Sequence, residues 1–257
     1  MSTTTTLLEA RALDKSYGRI RVLRDVSLTI GTGESHVVIG PNGAGKTTLF
    51  KVLTGELYAD RGTVHFGATD VTRMSAHQRI HRGFGRTFQV AKVFPKLSVQ
   101  DNLQIALEAR VRRGNPIGRV TGADAAGFAE KAERLLADTG LAAQRDAVSG
   151  ALAYGDRKRL EMAMVLALEP AVLFLDEPTA GMSAAERQAT VRLLQEVKRQ
   201  RSLSMLMTEH DMDVVFGLAD RISVLHYGQL IASGTPEQIR NDERVKEVYL
   251  GDGDEHA

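Results

Sequence analysis

The sequence predicts an α/β fold: a layered core, a small antiparallel sheet beside it, and a block of helices inserted into it. Three observations predict this. A glycine-rich loop lies between a short apolar strand and a helix, and a second apolar strand far downstream ends in two carboxylates. The stretch between them keeps a helical period.

Residues Gly40-Pro41-Asn42-Gly43-Ala44-Gly45-Lys46-Thr47-Thr48 complete the pattern G-x-x-x-x-G-K-[ST]. Ser35 to Ile39 upstream is a short apolar run of strand type, and Thr48 to Leu53 downstream has helical composition before Thr54-Gly55. Strand, glycine loop and helix in that order form the context in which this motif cradles phosphate. Glycines at 40, 43 and 45 let the backbone curl so that its N–H groups converge on oxygen anions. The helix opening at Lys46 adds the positive end of its dipole. Lys46 suits neutralisation of the outer phosphates, and the Thr47 hydroxyl suits the Mg²⁺ that accompanies them. The ligand predicted is a nucleoside triphosphate, taken as ATP with Mg²⁺.

With 257 residues the chain has enough length for a substantial core. Charged residues make up 25% and apolar ones 43%, values that fit a globular protein rather than a disordered one. A net charge of +1 argues against nucleic acid as an electrostatic partner. The absence of cysteine excludes disulfides and thiolate metal sites. The start, Met1 to Glu9, lacks the basic and apolar regions of a signal peptide, and the apolar stretch from Met162 to Leu175 is broken by Glu169-Pro170. The expected location is the cytosol, with any membrane role supplied by a partner.

Leu23 to Ile30 alternates apolar and polar residues, the period of a strand with one buried face. Thr63 to Phe66 and Leu8 to Leu13 are weaker candidates for the same small antiparallel sheet. From about Val99 to Ala143 the period becomes helical, with Leu103, Ala106, Leu107, Ala132, Leu135 and Leu136 on one side. Residues 112–122, basic and rich in glycine with a proline, read as a loop. Ser183-Ala-Ala-Glu186 is a capping box for a helix running to about Arg201, and Thr235-Pro-Glu-Gln238 caps a shorter one. Leu203 to Thr208 and Ile222 to Leu225 read as strands. His77 and His81 have the spacing of a metal pair, but with Arg79 and Arg82 interleaved they read as a solvated basic face.

Val172-Leu-Phe-Leu175 runs into Asp176-Glu177. A buried strand that stops in acid puts charge at its carboxyl edge, where α/β sheets bind ligands. Asp176 suits the Mg²⁺ shell and Glu177 the polarisation of an attacking water.

Between the two motifs lies Ala151-Leu152-Ala153-Tyr154-Gly155-Asp156, followed by a helical run. With it the chain resembles the nucleotide-binding subunits of ABC transporters, from about residue 8 to 250. Leu152–Asp156 stands where that family has its Leu-Ser-Gly-Gly-Gln signature. Gln89 in Gly85-Arg-Thr-Phe-Gln89 matches the family's glutamine loop, which also contacts the metal. His210 in Met207-Thr-Glu-His210-Asp matches its switch histidine, and Tyr17 its adenine-stacking aromatic. The chain departs from the family pattern at Ala153 for serine, Tyr154 for glycine and Asp156 for glutamine, and Ala180-Gly-Met-Ser183 stands where Ser-Ala-Leu-Asp is common. The resemblance implies a P-loop NTPase core of RecA-like type over residues 7–90 and 167–254, with a helical subdomain at about 91–166. It implies two subunits sandwiching two ATP molecules head to tail, the signature of one facing the phosphate loop of the other. It also implies transmembrane permease partners and, through them, a periplasmic solute-binding protein, with the ATPase at the cytoplasmic face of the membrane. The Leu-Ala-Tyr-Gly signature, the extra loop at 112–122 and Gly234-Thr-Pro-Glu-Gln-Ile resemble the ATPases of branched-chain amino acid importers and their relatives for other amino acids, amides or urea. An ATPase of lipopolysaccharide-export type and a soluble ATPase of the same family are the alternatives.

Overall fold

A computed structural model describes residues 5–87, 92–111 and 122–251. Phe88 and Gln89 of the expected glutamine loop, and residues 112–121 of the expected basic loop, lie outside the described residues.

The chain opens with a long hairpin, β1 (Thr6–Tyr17) and β2 (Ile20–Gly31), turned at Gly18. Apolar side chains alternate inward along both strands, but Ala12 and Asp25 interrupt the period with positive φ of 50° and 54°. Each is held in its irregular place by a hydrogen bond to the other strand: Ala12 N donates to Ser27 Oγ and Asp25 N to Asp14 Oδ1. Next come β3 (Ser35–Ile39), α1 (Lys46–Thr54), β4 (Arg61–Phe66) and the short β5 (Thr69–Asp70). The four strands β2-β1-β4-β5 form the expected antiparallel sheet.

Among the elements unread in the sequence are α2 (Ala76–His81), capped by Ser75, and β6 (Phe84–Arg86). The helical block follows as α3 (Val99–Val111), α4 (Gly122–Asp138) and α5 (Tyr154–Ala167). Leu103, Ala106, Leu107, Ala132, Leu135 and Leu136 are all buried in one cluster, as their spacing predicts. The chain then returns through β7 (Val172–Asp176), α6 (Ala184–Arg201), β8 (Ser204–Thr208), α7 (Met212–Leu218), β9 (Arg221–His226), β10 (Gln229–Gly234), α8 (Pro236–Asn241) and α9 (Glu243–Gly251). Ser183 and Thr235 make the reciprocal capping boxes expected of them.

The larger sheet runs β10-β9-β3-β8-β7-β6, parallel except for the β9–β10 hairpin. Strands β3, β7 and β8 are buried on both faces, which is why they read as continuous apolar runs. Their period of two divides the core. Val37, Ile39, Leu173, Leu175, Met205 and Met207 face the cluster shared with the helical block, while Val38, Val172, Phe174 and Leu206 face the cluster under the antiparallel sheet. Phe174 packs edge-on against Phe50 of α1 at 5.6 Å and stacks on Phe84 of β6 at 5.3 Å. That packing sets the helix after the phosphate loop against the strand that carries the acids.

His77, His81 and Arg82 lie exposed, as a solvated basic face requires, but Arg79 does not belong to it. Arg79 is 1% exposed and donates to the carbonyls of Val52, Leu53, Val71, Thr72 and Met74. Two of these carbonyls end α1, where helix geometry leaves acceptors without intrahelical partners. Burial pushes the guanidinium pKa down to about 10. His77 and His81 stack edge to face, and among the described residues no group of three metal-ligating side chains forms.

Candidate functional site

Parallel strands all present their carboxyl ends to one edge of the sheet, and three of them end side by side here. Thr208 at the end of β8 pairs with Val38 of β3 on one side and Asp176 of β7 on the other. The phosphate loop, the acidic pair and His210 therefore leave the sheet along the same edge.

The loop owes its shape to glycine at two places. Gly40 has φ of 154°, and a Cβ there would lie 2.0 Å from the Leu225 carbonyl oxygen. Gly45 has φ of 105°, and its Cβ would come within 2.9 Å of the Val22 oxygen. No side chain caps α1, whose first intrahelical bond is Leu49 N to Gly45 O. The amides of Lys46, Thr47 and Thr48 thus point out of the helix start as free donors, the arrangement that receives a phosphate. Lys46 Nζ, nearly buried, donates to Gly40 O at 2.6 Å and Pro41 O at 3.0 Å. Burial lowers its pKa, and the carboxylates of Glu177 and Asp176 oppose that shift. Thr47 is exposed at the loop mouth, and Ala44 is buried beneath it.

Asp176 is buried and accepts from Thr208 Oγ1 at 2.7 Å. Glu177 adopts a left-handed backbone, φ 48°, and its N–H is shared between Thr208 O at 3.1 Å and Thr208 Oγ1 at 3.2 Å. Its Oε1 lies 2.6 Å from His210 Nε2. With the glutamate as carboxylate, Nε2 carries the hydrogen and donates it. Thr208 therefore pins both acids, a role the sequence reading missed. The available signal was its place at the end of an apolar strand flanking the loop strand.

Hard oxygen donors suit Mg²⁺, and Thr47 and Asp176 supply two of them. A metal held by one or two protein oxygens, with phosphates and water completing its shell, is the usual Mg²⁺ arrangement in nucleotide sites. The donor set fits that metal better than a cage of protein ligands.

Tyr17 ends β1 at the hairpin turn, half exposed, as a face for stacking requires. Leu152–Asp156 forms the start of α5, with Ala153 at the cap and no capping side chain. Asp156 sits 3.5 Å from Arg159, and the Tyr154 ring lies under Lys158 Nζ at 6.0 Å. The edge of the large sheet brings Lys46, Asp176, Glu177 and His210 together. Tyr17 and residues 152–156 stand on separate elements, the hairpin and the helical block.

Residues 23–180 match the ABC transporter family. The chain belongs to that family. It is an ATP-hydrolysing cassette of the family, with the α/β fold the sequence predicts. Residues 229–255 also match the branched-chain amino acid ATP-binding cassette transporter pattern. The lipopolysaccharide export system ATP-binding protein LptB of Acidithiobacillus ferridurans is 37% identical over 246 residues, which are 96% of this chain and 97% of LptB. The high-affinity branched-chain amino acid transport ATP-binding protein LivG of Salmonella typhimurium is 34% identical over 253 residues, 96% of this chain and 98% of LivG. Among solved structures, the ADP conformation of MJ1267, an ATP-binding cassette of an ABC transporter, superposes with a TM-score of 0.82 at 30% identity, covering 96% of this chain and all of that one.

Proposed function

We propose that this cassette is the ATPase of an importer for branched-chain amino acids or chemically related amino acids, amides or urea. The observation that carries this reading is the match of residues 229–255 to the branched-chain amino acid pattern. The described part of that stretch, residues 229–251, carries β10, α8 and α9, with Thr235 and Pro236 opening α8. The likeness to LptB supports a second reading, export of a lipopolysaccharide-like lipid, because it extends over 246 residues, 96% of this chain, at 37% identity.

Both readings share one chemistry. Phosphoryl transfer to water is governed by positioning and charge stabilisation more than by covalent help from the protein. The free amides at Lys46–Thr48 and the Lys46 ammonium hold the phosphates. Mg²⁺, when bound, spreads the negative charge of the phosphate oxygens, with Thr47, Asp176 and Gln89 as its protein contacts. Glu177 orients and deprotonates the attacking water, and His210, hydrogen-bonded to Glu177, keeps that carboxylate and the terminal phosphate in register. Tyr17 stacks on the adenine. Residues 152–156 serve the phosphates of the second subunit's nucleotide through the uncapped start of α5, with backbone amides replacing the hydroxyl lost at Ala153.

No helix among the described residues is long and apolar enough to cross a membrane. The family resemblance, not that absence, is what supports a place at the cytoplasmic face, docked on permease subunits. A cavity of 580 Å³ between the helical block and the large sheet suits such docking. It is lined by Ile80, Phe84, Ile105, Met164, Val165 and Leu168, and the Arg86–Glu56 ion pair stands beside it. An apolar cleft with charges at its side fits an amphipathic segment of a permease loop.

Reconstitution with candidate permeases decides between the two readings. ATP turnover stimulated by an amino-acid-loaded solute-binding protein supports import. Stimulation by a lipopolysaccharide-type lipid, with none from any loaded binding protein, overturns it.

A further inference from the structure

Strand pairing between β7 and β8 ends at Asp176 and Thr208. Glu177 and His210 lie beyond that point; the Glu177 N–H still reaches Thr208, but the chain from Pro178 onward and the His210 loop lie outside the ladder. Glu177 also carries an unfavourable left-handed backbone. Something outside the ladder must keep the two loops in step if the 2.6 Å contact between their side chains is to be maintained.

Glu209 meets that need. Its carboxylate is 3% exposed, and a buried carboxylate is costly unless donors surround it. Three do. Oε1 accepts from Thr179 N at 3.0 Å and from Thr179 Oγ1 at 2.5 Å, and Oε2 accepts from His210 N at 3.0 Å. One oxygen thus grips the loop two residues beyond Glu177, while the other grips the histidine's own backbone. A parallel strap lies on the far side of His210. Asp211 Oδ2 pairs with Arg187 Nε at 3.1 Å, and Arg187 Nη1 donates to Met182 O at 3.3 Å.

We propose that Glu209 is a positioning residue for hydrolysis: its buried carboxylate ties the Thr179 loop to the His210 loop and so sets the Glu177–His210 contact. This rests on the roles given above to Glu177 and His210. Glu209 touches neither nucleotide nor water in this scheme and acts only through those two side chains. An amide at this position keeps the shape but presents a donor where an acceptor is required, toward either Thr179 or the His210 N–H.

The test measures kcat and KM for MgATP, with melting curves, on the full chain carrying Glu209→Gln, Thr179→Val, both together, Thr179→Ser and Glu177→Gln. Glu209→Gln and Thr179→Val should each lower kcat by about tenfold or more, the scale of a lost hydrogen bond to a charged group. KM should stay within about twofold, since no phosphate contact changes. The double variant should lose less than the product of the two single losses, because both weaken one linkage, Val leaving the Thr179 N–H bond to Oε1 in place. Thr179→Ser, which keeps the hydroxyl, should restore turnover. Unchanged kcat in either single variant, losses that multiply in the double, or a rise in KM at constant kcat overturns the proposal. If Glu209→Gln fails to fold, the Thr179 pair decides alone: Val slow and Ser fast supports it, equal rates refute it. Glu177→Gln separates the two levels of argument. If that variant turns over normally, the underlying assignment fails; if it is inactive while Glu209→Gln is normal, only the positioning role fails.

Discussion

Replacing Glu177 by Gln, by Ala and by Gly separates what the residue does for turnover from what its backbone costs the fold. The Gln variant keeps length and shape but loses the charge that accepts a proton. General-base contributions of about 10²–10⁴ in rate are typical, roughly 2.7–5.5 kcal/mol of barrier, so kcat should fall by that factor. ATP affinity should hold, because Lys46 and the loop amides are untouched, and an ATP-bound dimer should accumulate. Ala and Gly both remove the carboxylate, and both should be inactive. They differ in the backbone. At φ of 48° a Cβ costs roughly 1–2 kcal/mol, which Gly avoids. Gly's more flexible unfolded chain takes back roughly 0.4–1 kcal/mol. The Gly variant should therefore be about 0.5–1 kcal/mol more stable than Ala, melting about 1–4 °C higher. Phosphate-release kinetics, nucleotide titration, size-exclusion with ATP and thermal melts make the comparison. Wild-type turnover in Gln would refute the base assignment, and an Ala variant as stable as Gly would refute the strained backbone.

Arg79→Met should destabilise the chain by at least about 3 kcal/mol in urea unfolding, because it strands buried carbonyls that a charged donor satisfies. Ser183→Ala should cost about 1 kcal/mol through the lost cap of α6, read in the same assay, because it removes the acceptor for Glu186 N and the hydroxyl's own bond to Glu186 Oε2. Glu34 is desolvated, yet bonds from His36 and Gly31 N–H outweigh that and hold its pKa below the usual 4.5. The unfolded chain then takes up the proton first as pH falls, so this carboxylate's contribution is complete above about pH 5 and fades below it. Glu34→Gln should show a shallower loss of stability between pH 5 and 3.5 than wild type, and equal slopes would contradict the shift (both pH limits being approximate, set by the reference carboxylate range).

The parts of this fold that were legible are those where one short stretch carries its own signal. The loop at 40–48 needs particular residues at particular places, and the capping boxes at Ser183 and Thr235 fix two helix starts to the residue. Helical spacing in the inserted block named the side chains that are buried. The parts that were illegible depend on distant partners. β6 is three residues long and exists because β7 offers it a ladder. Arg79 looked solvated by composition, and only the return of the chain around α1 and β5 supplies carbonyls for it. The periods of β1 and β2 break at Ala12 and Asp25, positions with no residue type that announces a left-handed backbone. At the site, Asp176 and Glu177 were proposed from the end of one apolar strand and His210 from its place in the family order of motifs, whereas the contacts of Thr208 and Glu209 emerge only from the fold.

The strand that feeds the phosphate loop has a place in the order of synthesis as well as in the sheet. β3 is paired only with β8 and β9, and the loop beyond it is buttressed by the β9–β10 turn, where Gly228 N donates to Ala44 O and Gly40 packs on Leu225. A chain leaving the ribosome carries Gly40–Thr48 early, but the walls that shape the loop are still unmade. Such distant pairing also makes folding slow, because long loops must close before any contact rewards them. The phosphate loop thus takes its final shape from residues made long after it, and its walls are completed by the β9–β10 turn.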